Sequence, residues 1–264
     1  MTYTELMLDV HDKVATLTFN RPAAMNALGG ALRDEFADAV AELSGRAGAD
    51  ISAIVLTGAG RAFCAGGDLR VLQEMSAKGP EAMRARMQES HFTLNSWLDL
   101  PVPTIAAVNG AAAGAGFSLA IASDLVFATN TARFIMSFGR IGLVPDWGAM
   151  YILPRLVGLQ RAKELVLTAR DIGAEEARDL GLVLEIVDVD RLLDHAQEFA
   201  AKFANASPIA VGIAKRVMGS AFETDRATAL AAETDAQVEA NASDYHRAAV
   251  RRFLAKEPPL FNWD

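Results

Sequence analysis

Asn109-Gly110-Ala111-Ala112-Ala113-Gly114-Ala115-Gly116-Phe117 directly follows the apolar run Pro103-Thr104-Ile105-Ala106-Ala107-Val108. The run reads as a buried strand, and the small residues after it as a turn that opens a helix from about Gly114. The same succession occurs upstream. Residues 51–57 read as a buried strand, closed by Gly58-Ala59-Gly60 and followed by Arg61-Ala62-Phe63-Cys64-Ala65-Gly66-Gly67-Asp68-Leu69. In both turns small residues let the backbone approach a ligand and leave N–H groups free at a helix start, where the helix dipole favours negative charge. Each alone is a tight turn with close helix packing; together they have the makings of a two-donor oxyanion hole. Neither fits the dinucleotide pattern GxGxxG, because Leu119 stands where the last Gly would be.

Outward from these turns, short strand-like and helical stretches alternate. Residues 14–19 read as a strand that stops at Asn20-Arg21-Pro22, and residues 125–128 as another. Leu28, Leu32, Phe36, Val40 and Leu43 mark one helix face, and Pro80 opens a helix whose face carries Met83, Met87, Leu94 and Trp97. After about Val189 strand signals stop, and residues 191–205, 208–219, 223–240 and 243–256 read as helices. The expectation is an α/β core over residues 1–200 with a helical region over 201–264 that packs on neighbouring subunits. No linker, low-complexity tract or internal repeat interrupts the chain.

Composition narrows the function. Of 264 residues, 52% are hydrophobic and 22% charged, an ordinary globular balance that excludes a disordered chain. A net charge of −8 provides no basic stripe for a phosphate backbone, so no nucleic acid is expected. The single cysteine, Cys64, cannot form an internal disulfide, and the first residues lack a secretory pattern; both suit the cytoplasm. Residues 101–123 carry no charge, but Pro101, Pro103, Asn109 and Gly110 break the stretch, so no membrane span is expected. His11, His91, His195 and His246 show no metal-ligand spacing, so no metal is expected, and His91, His195 and His246 read as solvated helix positions. A GxSxG nucleophile elbow is absent.

A third segment, running from Phe134 through Ile141-Gly142-Leu143-Val144-Pro145-Asp146-Trp147-Gly148, sets one carboxylate among apolar residues. Asp146 reads either as the N-cap of a helix from about Gly148 or as a general base made more basic by its surroundings.

Taken in order, Asn20-Arg21-Pro22…Asn26-Ala27-Leu28, Ala62-Phe63-Cys64-Ala65-Gly66-Gly67-Asp68-Leu69, residues 103–110, 141–146 and Leu153-Pro154-Arg155-Leu156-Val157-Gly158 resemble the crotonase superfamily, the enoyl-CoA hydratase/isomerase family. The resemblance implies an α/β spiral of ββα turns, a helical C-terminal region that builds trimers or hexamers, and an acyl-CoA thioester as substrate, with no separate cofactor. It implies that the N–H groups of Gly67 and Ala115 hold the thioester oxygen, each contributing roughly 3–4 kcal/mol to the transition state. It further implies CoA contacts at Arg21, Ala23, Ala24, Ala62, Ala65 and Gly67, with Phe253 and Lys256 reaching CoA of the same or a neighbouring subunit. Acyl-pocket walls are expected from Leu72, Met75, Met83, Met87, Ser118, Phe138, Trp147 and Met150.

Ser118 and Phe138 stand where hydratases of the family carry two Glu residues, so two-Glu hydration is not expected. The Val144-Pro145-Asp146 pattern is instead similar to the ring-epoxyphenylacetyl-CoA isomerases and related enoyl-CoA isomerases, in which the equivalent Asp is the catalytic carboxylate. Trp147-Gly148-Ala149 departs from that group's small residues after the Asp. The expected activity is therefore proton shuttling by Asp146 through an enolate. The alternatives are hydration with one carboxylate, dehalogenation or hydrolysis with Asp146 as nucleophile, and acyl-CoA binding without turnover.

Overall fold

The computed structural model describes residues 3–263, in which two parallel-rich sheets are wound together by short turns. The strands are β1 (Leu6–His11), β2 (Val14–Phe19), β3 (Ala53–Gly58), β4 (Ala62–Cys64), β5 (Thr104–Val108), β6 (Ala111–Ala113), β7 (Leu125–Thr129), β8 (Arg133–Ile135), β9 (Asp171–Gly173) and β10 (Glu185–Val187). The helices are α1 (Leu32–Ser44), α2 (Leu69–Ala77), α3 (Pro80–Leu98), α4 (Ala115–Ile121), α5 (Ala149–Val157), α6 (Leu159–Thr168), α7 (Ala174–Asp179), α8 (Leu192–Ala201), α9 (Pro208–Gly219), α10 (Arg226–Asn241) and α11 (Asp244–Leu254). The larger sheet has the order β1-β2-β3-β5-β7-β10 and the smaller β4-β6-β8-β9. Pairings are parallel except for β1 with β2 and β8 with β9.

Three times in succession the chain runs up a strand of the large sheet, turns, and enters the small sheet: β3 to β4, β5 to β6, β7 to β8. A helix follows the first two of these pairs, α2 and α4. The chain is thus a spiral, with a structural repetition that leaves no repeat in the sequence because only strand spacing and turn geometry recur. The large-sheet strands β3 and β5 are buried throughout, which explains their continuous apolar runs. One face meets the main core between the sheets; the other carries Val55, Ile105 and Phe127 against Leu192 and Ala196 of α8.

Several boundaries differ from the sequence reading. Leu28 is not on the helix it was assigned to: α1 starts at Leu32, and Leu28 forms a bridge with Gly67 instead. Residues 223–225 likewise precede α10, whose cap is the Asp225 carboxylate accepting from the Thr228 N–H at 2.9 Å. His195 is not a solvated helix residue; its ring lies edge-on to Phe127 at 5.0 Å and its Nε2 is 3.2 Å from Glu185. The C-terminal helices α9, α10 and α11 follow the core, and no residue of α10 or α11 is buried within the single chain. Lys215 of α9 ties them back through Asp124 at 2.7 Å, the same carboxylate that accepts from the Thr104 N–H. Among the described residues no helix is long and apolar enough to cross a membrane, and no cluster of metal-ligating side chains occurs.

Candidate active site

The two small-residue turns meet because their glycines let main chain touch main chain. A Cβ on Gly116 would lie 2.1 Å from the carbonyl oxygen of Cys64, and one on Gly66 would lie 2.7 Å from that of Ala113 and 3.3 Å from the Ala115 nitrogen. Gly66 also has φ +93°, a conformation that a side chain disfavours. The strand-to-helix turns of β4–α2 and β6–α4 are thereby pressed together. Among the described residues neither the Gly67 nor the Ala115 N–H has a backbone acceptor. Ala115 is the first residue of α4, so its donor lies at the positive end of that helix. Behind the turns, buried Asn26 donates to the Ala59 and Ala62 carbonyls at 2.9 and 2.8 Å and accepts from the Arg21 N–H at 2.9 Å.

Asp146 sits on the loop between a short 3-10 turn (Ser137–Ile141) and α5. Its carboxylate does not cap α5, whose N-cap is Gly148 with no side-chain bond; only the Asp146 carbonyl is used, accepting from the Ala149 N–H at 3.1 Å. Trp147 and Gly148 both have positive φ, at +48° and +74°. That backbone sends the Trp147 indole inward to Phe36 at 6.3 Å. Trp147 is therefore a core anchor for the loop and not an open pocket wall. The carboxylate is left with Oδ1 buried and without a hydrogen-bond partner. Burial raises its pKa from 3.8 to about 6, with the Arg86 charge pulling the other way.

Holding a carboxylate so far above its ordinary value costs stability. Between about pH 4 and pH 6 the native state binds a proton that the unfolded chain has released, so stability falls as pH rises through that window. The cost reaches about 2–3 kcal/mol at neutral pH. Asp146→Asn is accordingly expected to raise the urea midpoint at about pH 7 and to leave it unchanged at about pH 4.

The other sequence-derived positions divide. Leu72 lies against Gly67 and the Phe138 ring beside Gly114, at 3.2 and 3.7 Å from where a Cβ on each glycine would be. Met75, Met83 and Met87 are half-buried on α2 and α3. Ser118 is fully buried, its hydroxyl turned back to the Gly114 carbonyl at 3.2 Å, so it presents nothing to a ligand. Met150 is 60% exposed at the start of α5. Arg21 is engaged in the scaffold: its guanidinium meets Glu5 at 2.9 Å, Asp68 at 3.3 Å and the Ala27 carbonyl at 2.7 Å. Ala23, Ala24 and Ala65 are at least partly open, whereas Ala62 is 1% exposed and offers no side-chain surface. Phe253 is 82% exposed and Lys256 exposed, on and just beyond α11, which packs on α10. Cys64, buried beneath the turn, has its thiol pKa pushed up to about 12 by burial and is inert at neutral pH.

The sequence reading missed Arg86. It lies one residue from Met87 on the face defined by Met83, Met87 and Leu94, and the helical period alone places it on that inward stripe.

Comparison with known proteins matches residues 9–263 to the family described as enoyl-CoA hydratase/isomerase. A probable enoyl-CoA hydratase of Rhodobacter capsulatus is 40% identical over 99% of both chains. A 1,2-epoxyphenylacetyl-CoA isomerase of Escherichia coli is 36% identical over 97% of both. The crystal structure of an enoyl-CoA hydratase/isomerase from Cupriavidus metallidurans superposes with a TM-score of 0.93 at 37% identity, covering 99% of this chain and 97% of that one.

Proposed function

Since this chain belongs to the enoyl-CoA hydratase/isomerase family, acting on acyl-CoA, we propose that it is an isomerase that moves a double bond, or rearranges a related acyl group, by proton transfer at Asp146. The observation that carries the reading is a carboxylate with one oxygen buried and unpartnered and a pKa near 6, in a chain where Ser118 and Phe138 fill the positions at which hydratases of the family have Glu.

In this mechanism the thioester oxygen accepts from the Gly67 and Ala115 N–H groups. The Asp146 carboxylate removes a proton from the carbon next to the thioester or from the one two further on. The electron pair left behind moves into the enolate or dienolate oxygen, whose charge the two donors and the α4 dipole stabilise. Asp146 then returns the proton at the other carbon and is regenerated as carboxylate. One carboxylate suffices because no water is activated. CoA extends over Ala23, Ala24 and Ala65 beside the Arg21 scaffold, with Leu72, Met75, Met83, Met87 and Phe138 around the acyl chain. Phe253 and Lys256 reach CoA in a trimer or a pair of trimers, whose contacts would also cover the exposed Leu254, Val250 and Val238.

The test is mass spectrometry of saturated and unsaturated acyl-CoA thioesters incubated with the protein in heavy water. Isomerisation gives deuterium uptake by H-to-D exchange with no addition of water to the product. A product heavier by one heavy water would instead make the protein a single-carboxylate hydratase; its Rhodobacter capsulatus relative is named a probable enoyl-CoA hydratase. Because the base is the ionised form, kcat/KM for exchange is expected to rise with pH and level off above about 6. A profile flat from pH about 4.5 to 8 would exclude Asp146 as the base.

A further inference from the structure

The inward face of α3 carries one charged side chain; its buried Ser90 and Thr93 hydroxyls are turned back to the helix carbonyls of Arg86 and Glu89. Met83, Met87, Leu94 and Trp97 share that face with Arg86, whereas Glu81, Arg84, Glu89 and His91 are exposed. Among the described residues the Arg86 guanidinium makes no ion pair and no hydrogen bond. Its carbonyl accepts from Arg33 Nη2 and from the Ser90 hydroxyl, both at 3.1 Å. A half-buried guanidinium with no protein partner keeps its donors free for a ligand.

Two neighbours indicate where that ligand lies. Arg86 and Asp146 are close enough for each charge to act on the other, yet they form no ion pair within 4.0 Å. Arg33 on α1 is the second, a like charge that presses on Arg86. Asp34 and Glu89 are in range as well, but both are engaged by Arg33, at 3.4 and 2.8 Å. Asp146 Oδ1 and Arg33 Nε are buried and unsatisfied. The loop before α5, α3 and α1 thus each carry a charged side chain with an unpartnered polar atom, and Arg86 is the cation on α3 that no carboxylate among the described residues engages.

We propose that Arg86 is a specificity-determining residue that receives an oxygen acceptor on the acyl group, beyond the reacting carbons, so that the substrate is an oxygenated acyl-CoA thioester. The inference rests on the reading of Asp146 as the base. With the thioester oxygen at Gly67 and Ala115 and proton transfer at Asp146, a group that reaches Arg86 belongs further along the chain. Met83 and Met87 share the half-buried face with Arg86, and Met side chains adapt to the carbons between. A guanidinium binds a carboxylate through two parallel hydrogen bonds and a neutral oxygen through one.

Calorimetry with thioesters that have no double bond to shift separates recognition from catalysis. Glutaryl-CoA, 5-hydroxypentanoyl-CoA, pentanoyl-CoA and CoA alone are titrated into the assembled wild-type protein, Arg86→Met and Arg86→Lys. An oxygenated thioester is expected to bind about tenfold tighter than pentanoyl-CoA, with the preference lost in Arg86→Met, partly kept in Arg86→Lys, and CoA affinity unchanged. Preference for glutaryl-CoA alone identifies an anionic acyl group; preference for both identifies a neutral oxygen as sufficient. Pentanoyl-CoA binding as tightly as both in wild type, a preference that survives Arg86→Met, or equal weakening of all four ligands overturns the proposal. Loss of the Asp146 mechanism would appear in the heavy-water experiment and leave these affinities readable.

Discussion

Asp146→Asn is expected to lower solvent-deuterium exchange into acyl-CoA substrates by about 10³-fold while the protein still binds them. Asn keeps the shape of the side chain and its place on the Trp147 anchor, and removes only the ability to take up a proton. The fall should appear in kcat, because the carboxylate acts in the transition state and the thioester is held elsewhere, by the Gly67 and Ala115 N–H groups. The same variant is the more stable protein at neutral pH, since Oδ1 is buried without a partner and its charge is costly there. Activity and stability moving in opposite directions separate a base from a structural carboxylate, whose removal would lower both. An Asp146→Asn protein that exchanges at the wild-type rate would place the base on another residue.

Gly116→Ala is the second large effect. Its new methyl would stand 2.1 Å from the Cys64 carbonyl oxygen and 2.8 Å from the Cys64 Cβ, all of it on or next to the buried strand β4. A backbone carbonyl cannot swing aside, so α4 must move away from β4, and the Ala115 donor moves with it. A displacement of about 1 Å at a donor costs about 10²-fold in rate, and the forced repacking about 1–3 kcal/mol in stability. The comparison is Gly173→Ala, where a Cβ would meet nothing within 4 Å; it is expected to match wild type in both rate and urea midpoint. If Gly116→Ala keeps full kcat, the two turns do not form a rigid donor pair.

Much of this was legible along the chain because it is local. The uninterrupted apolar runs of β3 and β5 follow from burial on both faces, and the turns after them follow from Gly66, Gly110 and Gly116, where no Cβ fits. Short elements were less legible. β6 and β8 have three residues each, too few for a period to register, and they are strands only because β4 and β9 lie beside them. β1 carries an alternation of buried or half-buried Leu6, Leu8 and Val10 with exposed Met7, Asp9 and His11, a signal that was present and small.

For the site, the sequence by itself determined which groups exist: one carboxylate after Val144-Pro145, two glycine-permitted turns, and no Glu at positions 118 and 138. Whether Asp146 caps a helix or stands free was decided by the tertiary structure, because the left-handed backbone at Trp147 and Gly148 puts Gly148 at the helix start and leaves the carboxylate behind it. Its basicity was decided there too, since a pKa near 6 arises from desolvation by distant segments and from an opposing charge on α3. Arg86 lies far from Asp146 in sequence, and only the packing of α3 over the loop makes one charge the neighbour of the other. Local sterics are written residue by residue, whereas electrostatics depends on which residues the fold makes neighbours.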